Sequence, residues 1–268
     1  MSKPRRKVPG YFLIRAVIRV FLLFAVTILL FLPVLFTYLM RWEWWRALLV
    51  RFFFGSMRYI CGIRLTVEGD VSKLRPLMLV ANHSSYLDIF ILGSLLPLSF
   101  TPKKEIRSWP IIGFCCILAD CIFIERKPAD MQRVQAEMAK RLSNRKVIGL
   151  FPEGTTGDGF HLKKFKSGFL SLAENFDLPL QPVSLAYTHI GRTPLNAENR
   201  SLVAWIDDAT LVGHLMRLMS FSCIRVTATI HGVEKMSDYE DRKALAAKAE
   251  EVIREGLAKT LAANGVTS

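Results

Sequence analysis

The stretch LMLVANHSSYLDIFILGSLL, residues 77–96, passes from an apolar run through a polar turn into a second apolar segment. The first five residues predict a strand, because they form a short apolar run bounded by polar residues. The segment from Tyr86 onward predicts a helix, with Ser84 or Ser85 available as its N-cap. His83 is therefore expected in the turn, and Asp88 in the first turn of the helix.

Beyond residue 60 the chain repeats this alternation of apolar, β-rich runs with helical patterns. Such alternation predicts an α/β fold with a largely parallel central sheet flanked by helices. A helix predicted to begin at Pro128 joins two of the runs as a crossover, so those two strands should be parallel. The predicted strands are residues 77–81, 121–125, 146–151, 181–187, 202–206 and 224–230.

Polar side chains follow three of the predicted strands at the point where each strand ends. Parallel strands place their carboxyl ends on one edge of a sheet, and open α/β sheets bind ligands in the crevice outside that edge. We therefore expect these segments to form one site. Its residues would be Asn82 and His83 after the first strand, Glu125 and Arg126 after the second, and Pro152, Glu153 and Gly154 after the third.

His83 and Asp88 form a candidate catalytic pair. The turn between them lets the imidazole fold back to the carboxylate, which would hold one ring nitrogen and leave the other as a base. The G-x-S-x-G pattern of a serine nucleophile elbow does not occur in the sequence. The base is therefore expected to activate a hydroxyl of the substrate.

The composition of the 268 residues indicates a membrane association and an acidic partner. The hydrophobic fraction of 51% is high for a soluble protein, and the net charge is +13. That charge suits nucleic acid, an anionic bilayer surface or a phosphorylated substrate. The five cysteines are odd in number and contain no C-x-x-C pair, so neither a disulfide framework nor a metal site is predicted.

The amino-terminal segment predicts a membrane anchor, which divides the chain into residues 1–60 and a catalytic domain of residues 61–268. Residues 20–40 carry no charge, and as a helix they would cover roughly 31 Å, about one hydrocarbon core. Basic residues flank this segment on both sides, and they favour a cytoplasmic location for both of its ends. A re-entrant hairpin with a second, amphipathic helix over residues 42–60 satisfies both ends, and a single spanning helix is the alternative.

Four segments carry a family resemblance: NHSSYLD, CIFIER, FPEGTT followed by KKFKSG, and LQPVSL. In order and spacing they resemble the four blocks of the glycerolipid acyltransferase family, over roughly residues 65 to 235. The chain is similar to 1-acylglycerol-3-phosphate acyltransferases and to bacterial acyltransferases that act on other lysolipids. The resemblance implies that a histidine deprotonates the acceptor hydroxyl, which attacks an acyl thioester without a covalent enzyme intermediate.

Carried over by residue, the resemblance implies that His83 is the general base and Asp88 its orienting partner. It implies no metal ion and no cofactor, since the acyl donor, acyl-coenzyme A or acyl carrier protein, is a substrate. The acceptor is expected to be a lysophospholipid. The residues implied to bind it are Arg126, Glu153, Gly154, Thr155, Lys103 and Lys166.

The sequence departs from the family pattern at two positions. The second block usually begins with glycine where this chain has Asp120, and the third usually has arginine where this chain has Thr156. Lys163, Lys164 and Lys166 could supply the missing positive charge. The expected acceptor is 1-acyl-sn-glycerol-3-phosphate, with lyso-ornithine lipid as the alternative because a short hydroxyl cannot clamp phosphate as a guanidinium does.

Two other functions compete with acyl transfer. A basic protein that binds nucleic acid or anionic membranes would use the net charge, but it leaves His83 and Asp88 unexplained, and no nucleic-acid signature occurs. A phospholipid hydrolase would need a serine nucleophile elbow, and this sequence does not contain one. We therefore expect an enzyme of a bacterial inner membrane, with its catalytic domain facing the cytoplasm and without a nucleic-acid partner.

Overall fold

The computed structural model describes residues 10–125, 131–206 and 210–266, and it places a seven-stranded sheet between layers of helices. The helices are α1 (Gly10–Leu39), α2 (Glu43–Ile60), α3 (Leu87–Leu95), α4 (Ile112–Leu118), α5 (Met131–Ser143), α6 (Ser171–Phe176), α7 (Leu211–Ser220) and α8 (Arg242–Ala263). The strands are β1 (Ile63–Glu68), β2 (Leu77–Ala81), β3 (Ser99–Phe100), β4 (Val147–Leu150), β5 (Leu180–Ile190), β6 (Thr193–Pro194) and β7 (Ile224–Ile230).

The sheet is largely parallel, as the sequence predicts. Its order is β1-β7-β5-β2-β4-β3, and β6 pairs with β5. Strands β3, β4, β2 and β5 run parallel to one another, whereas β7 runs antiparallel to β5 and parallel to β1. The carboxyl ends of these four parallel strands therefore meet at one edge, and the candidate site lies there.

The apolar run of β2 is explained by burial on both faces of the sheet. Leu77 and Leu79 belong to the core cluster under α2 and α3, whereas Met78 and Val80 belong to the cluster under α5 and α8. Successive side chains of a strand point to opposite faces, so an uninterrupted apolar run fits a central strand.

Two predicted strands are wrong. Residues 202–206 contain the end of the short 3₁₀ helix Arg200–Leu202 and a loop, because the backbone of Trp205 bonds to Ser84 of the first turn and not to a sheet neighbour. Residues 121–125 form one parallel bridge, Ile124 to Lys103, beside β3. The sequence analysis also missed β1, an edge strand with mostly exposed residues, and the two-residue strand β3.

Helices α1 and α2 form a hairpin that packs on the sheet domain, and α2 coincides with the predicted amphipathic helix. α1 is long and apolar enough to cross a membrane over Phe12–Leu39. At its amino-terminal part, Arg15 donates to the carbonyl of Ser220, and Arg19 donates to those of Phe221 and Ser222. These carbonyls lie at the end of α7, so the two arginines fasten the start of the hairpin to the sheet domain.

Asp120 joins the hairpin to the other side of the domain. Its φ of 61° is left-handed, a conformation that suits the glycine of the family pattern noted above better than an aspartate. The Asp120 carboxylate lies 2.7 Å from Nζ of Lys146 and 3.2 Å from Arg141, and Lys146 also contacts Glu43 of α2 at 2.7 Å. The carboxylate offsets the unfavourable backbone conformation by adding ion pairs that a glycine could not make.

The contact between α2 and α3 depends on the absence of a side chain at Gly93. A Cβ atom there would lie 2.4 Å from the buried ring of Phe54. We expect Gly93→Ala to displace α2 and to lower the free energy of unfolding by about 1–3 kcal/mol. Thermal unfolding of the purified protein in detergent measures this effect.

Gly55→Ala is the matched control, because a Cβ atom at this α2 position meets nothing within 4 Å. It should leave the melting temperature unchanged or raise it slightly through helix propensity, which favours alanine by about 1 kcal/mol. Equal melting temperatures for the two variants would contradict the proposed close approach.

Candidate active site

His83 and Asp88 lie side by side at the carboxyl end of β2. Nδ1 of His83 is 2.8 Å from Oδ2 of Asp88, and the imidazole stacks on the ring of Phe151 with 4.1 Å between centroids. Because Nδ1 faces the carboxylate, Nε2 is the nitrogen available to a substrate. The side chain of His83 is 18% exposed, whereas that of Asp88 is fully buried, so only the base of the pair reaches solvent.

Asp88 also organises the turn that precedes its helix. Its Oδ2 accepts hydrogen bonds from the backbone N–H groups of Ser84 and Ser85, at 2.7 and 2.9 Å. The expectation that one of these serines caps α3 through its side chain is therefore wrong, because neither side chain accepts a bond at the helix N-terminus. The carboxylate fixes the turn and the imidazole together.

Tyr187 of β5 holds the other oxygen of Asp88. Its hydroxyl donates to Oδ1 at 2.5 Å, and both side chains are buried. Burial and the neighbouring Asp88 carboxylate raise the pKa of Tyr187 well above its usual value, so the hydroxyl remains a donor. Tyr187 was not predicted from the sequence, because it lies 99 positions from Asp88 and resembles an ordinary strand residue.

Glu153 links the first and third blocks from inside the protein. It is buried, Oε1 accepts the backbone N–H of His83 at 2.7 Å, and Oε2 accepts that of Lys163 at 2.9 Å. The N–H of Gly157 donates to the carbonyl of His83 at 2.7 Å as a third link. Glu153 thus positions the backbone of His83, and its predicted contact with the acceptor stays a prediction.

The structure brings several other predicted residues to the same edge. Gly154 has a left-handed φ of 71°, and a Cβ atom there would lie 3.0 Å from Nζ of Lys166, so these two residues are neighbours. Thr155 is exposed and lines the pocket described below. Lys103 is exposed just beyond β3, and Arg126 lies outside the described residues.

A pocket of about 470 Å³ opens beside the catalytic pair. His161 and Leu162 line both this pocket and the shallow cleft at His83. The hydroxyl of Thr156 donates to the carbonyl of Trp205 at 2.5 Å, and the N–H of Trp205 donates to the carbonyl of Ser84 at 2.8 Å. Thr156 therefore ties the wall of the pocket to the catalytic turn.

Metal chemistry receives no support from the residues described. Among residues 10–125, 131–206 and 210–266, no three His, Cys, Asp or Glu side chains are grouped to hold an ion. A positioned imidazole with a buried carboxylate can instead accept a proton from a bound hydroxyl. The catalytic edge is equipped for general base chemistry.

Several known proteins are similar to this chain. A family model described as Acyltransferase matches residues 63–186. A lyso-ornithine lipid O-acyltransferase of Brucella abortus is 31% identical over 88% of this chain and 93% of its own. A 1-acyl-sn-glycerol-3-phosphate acyltransferase of Neisseria gonorrhoeae is 30% identical over 66% and 68%.

A solved structure shares the fold. The 1-acyl-sn-glycerophosphate acyltransferase of Thermotoga maritima superposes with a TM-score of 0.72, covering 92% of this chain and 95% of its own at 22% identity. The coverage includes most of the hairpin and the sheet domain together. The α/β architecture predicted from the sequence is therefore confirmed.

Tyr187 should act on the reaction only through Asp88. Tyr187→Phe removes a hydrogen bond to a charged group, and we expect kcat to fall about tenfold with little change in KM. Asp88→Asn should lower kcat much further, by about 100-fold or more, because the wrong tautomer of His83 is then favoured. Steady-state kinetics of both variants and of the double variant measure the coupling.

In the double variant the effect of Tyr187→Phe should disappear, since Asp88 is no longer present as a carboxylate. Tyr59→Phe, at a residue that is 83% exposed, is the matched control and should be silent. Effects that multiply in the double variant would show that Tyr187 contributes independently of Asp88.

Glu153 should make stability depend on pH. Burial raises the pKa of Glu153 to about 7, although hydrogen bonds from the N–H groups of His83 and Lys163 act in the opposite direction. Between about pH 4.5 and about pH 7 the folded chain then binds more protons here than the unfolded chain, so stability falls as pH rises. We expect the melting temperature to fall across this interval, and to fall less in Glu153→Gln. If the melting temperatures of the two proteins changed equally with pH, the raised pKa could not be assigned to Glu153.

Proposed function

Because this chain belongs to the lysophospholipid acyltransferase family and is an acyltransferase, we propose that it transfers a fatty acyl group to the free hydroxyl of a lysolipid. The donor in this proposal is the thioester of coenzyme A or acyl carrier protein, and no bound cofactor takes part. One observation carries the proposal: Nδ1 of His83 lies 2.8 Å from the buried Asp88 carboxylate, with the imidazole at the solvent-facing edge.

The proposed reaction uses His83 first as a base and then as an acid. Nε2 takes the proton of the acceptor hydroxyl while the hydroxyl oxygen bonds to the carbonyl carbon of the thioester. The carbon–sulfur bond then breaks, and the departing thiolate receives a proton from the imidazolium. Asp88 stabilises the imidazolium and keeps its ring oriented throughout.

For the acceptor, we propose a zwitterionic amino-acid lysolipid, lyso-ornithine lipid, ahead of 1-acyl-sn-glycerol-3-phosphate. Thr156 supports this order, since its hydroxyl is bonded to Trp205 and supplies no charge to a phosphate. The Brucella abortus relative also matches over more of both chains than the Neisseria gonorrhoeae one. Lys163, Lys166 and the predicted role of Arg126 support the phosphate acceptor as the second candidate.

We propose that the hairpin of α1 and α2 holds the enzyme in a membrane, with the catalytic edge on the cytoplasmic side. Large apolar side chains of the hairpin are exposed, and their burial in lipid would remove them from water. The packing of α2 on both α1 and α3 supports a re-entrant hairpin over a single span. The exposed apolar residues include Phe21, Ile28, Leu29, Leu32, Trp44 and Phe52. A bacterial inner membrane is the proposed location.

The proposal is tested with the full chain in lipid vesicles. Labelled acyl-coenzyme A and acyl carrier protein are offered with lyso-ornithine lipid, 1-acyl-sn-glycerol-3-phosphate and lysophosphatidylcholine. We expect product with the first two, and a higher kcat/KM for lyso-ornithine lipid. His83→Ala should lower turnover about 100- to 10,000-fold, the usual contribution of a positioned base.

His189→Ala is the matched control, because His189 lies on β5 and its imidazole Nδ1 lies 3.1 Å from the hydroxyl of the adjacent Thr188, away from the pair of His83 and Asp88. It should leave turnover unchanged. A folded His83→Ala protein with normal turnover would overturn the mechanism, and product with 1-acyl-sn-glycerol-3-phosphate alone would overturn the order of acceptors.

A further inference from the structure

The pocket beside His83 contains an ion pair whose two residues lie outside the segments that carry the family resemblance. Arg200, in the short helix Arg200–Leu202, places Nη1 3.0 Å from Oδ2 of Asp158. Both side chains line the pocket and remain partly exposed, Arg200 by 31% and Asp158 by 20%. Arg200 and Asp158 therefore place opposite charges on the wall of the same 470 Å³ space, which Lys163 also lines.

The two oxygens of Asp158 have different tasks. Oδ1 accepts the backbone N–H groups of Phe160 and His161, at 2.9 and 2.8 Å, and so fixes the loop. Oδ2 faces Arg200 and the ring of His161, at 3.0 and 2.9 Å. Burial alone raises the pKa of Asp158, but the hydrogen bonds from His161 and Phe160 outweigh burial, and the pKa lies below its usual value. The carboxylate is ionised at neutral pH.

The position of the pair fits the headgroup of an acceptor whose hydroxyl lies at His83. The pocket and the cleft at His83 share His161 and Leu162 as walls. Trp205 joins them again, since its N–H bonds to Ser84 and its carbonyl to Thr156. A lysolipid can therefore place its headgroup at Arg200 and Asp158 while its hydroxyl reaches Nε2.

We propose that Arg200 and Asp158 form a subsite for a zwitterionic headgroup, in which Arg200 binds the carboxylate and Asp158 binds the ammonium group of an amino-acid lysolipid. This inference rests on the proposed function and adds the residues that select the acceptor. Binding exchanges one internal ion pair for two pairs with the ligand, so no charge is left unpaired.

A phosphate monoester fits this subsite less well. Its two negative charges can pair with Arg200 and with Lys163, whose Nζ lies 2.7 Å from the carbonyl of Thr156. Asp158 would then share Arg200 with the phosphate, and the like charges of the carboxylate and the phosphate in a partly buried pocket repel each other. The Asp158 carboxylate thus disfavours binding of a phosphate headgroup.

The experiment uses the full chain in vesicles and three acceptors. They are lyso-ornithine lipid, the same lipid with its side-chain amine acetylated, and 1-acyl-sn-glycerol-3-phosphate. For the unsubstituted enzyme, acetylation should raise KM about tenfold, since it removes the ammonium charge that Asp158 binds. Equal KM values for the free and acetylated lipids would overturn the subsite, whether or not any variant folds.

Asp158→Asn is the decisive variant, because asparagine keeps an oxygen for the N–H groups of Phe160 and His161 and removes only the charge. It should raise KM for lyso-ornithine lipid about tenfold and leave KM for the acetylated lipid unchanged. Its kcat/KM for 1-acyl-sn-glycerol-3-phosphate should stay the same or rise. An equal rise in KM for the free and acetylated lipids would assign Asp158 a purely structural role and overturn the proposal.

Two further variants complete the test. Arg200→Gln should raise KM for all three acceptors, because each carries an anion. Asp70→Asn removes an exposed carboxylate outside the pocket and should change none of the three values. If the unsubstituted enzyme transferred acyl groups to no lysolipid, the proposed function itself would fail, and that outcome differs from active enzyme with unchanged acceptor preference.

Discussion

The active edge depends on one buried carboxylate, Asp88. A carboxylate without solvent is costly unless donors surround it, and Asp88 accepts bonds from the His83 ring, from the N–H groups of Ser84 and Ser85, and from the Tyr187 hydroxyl. These donors come from the catalytic turn and from the neighbouring strand β5. The hydrogen bonds that stabilise the Asp88 carboxylate therefore also fix the turn, the start of α3 and the orientation of the imidazole.

Around this centre, residues of the third block hold the backbone of the first, through the side chain of Glu153 and the N–H group of Gly157. Glu153 and Gly157 bond to the N–H and the carbonyl of His83, and Trp205 bonds to the carbonyl of Ser84. Buried polar groups of a turn need such partners. These hydrogen bonds therefore connect His83 directly to the wall of the neighbouring pocket.

The hairpin of α1 and α2 shares a hydrophobic core with the sheet domain and is not only an appended segment. Phe54 of α2 and Ala16 of α1 belong to the core cluster under one face of the sheet, and the division of the chain near residue 60 stays a prediction. Arg19 bonds to carbonyls after α7, and Lys146 bridges Glu43 to Asp120. The two helices, whose exposed apolar side is proposed to face lipid, are thereby held against the sheet domain.

The sequence by itself determined the α/β class, the buried strand of residues 77–81 and the pairing of His83 with Asp88, because these depend on local hydrophobic pattern and on a spacing of five residues. It mistook residues 202–206 for a strand, since an apolar run carries no information about its hydrogen-bond partner. Only the tertiary structure decided that Tyr187 holds Asp88, that Glu153 faces inward, and that Asp158 meets Arg200 across 42 positions of sequence. Such contacts arise where strand ends converge in space, and no periodicity within a segment records them.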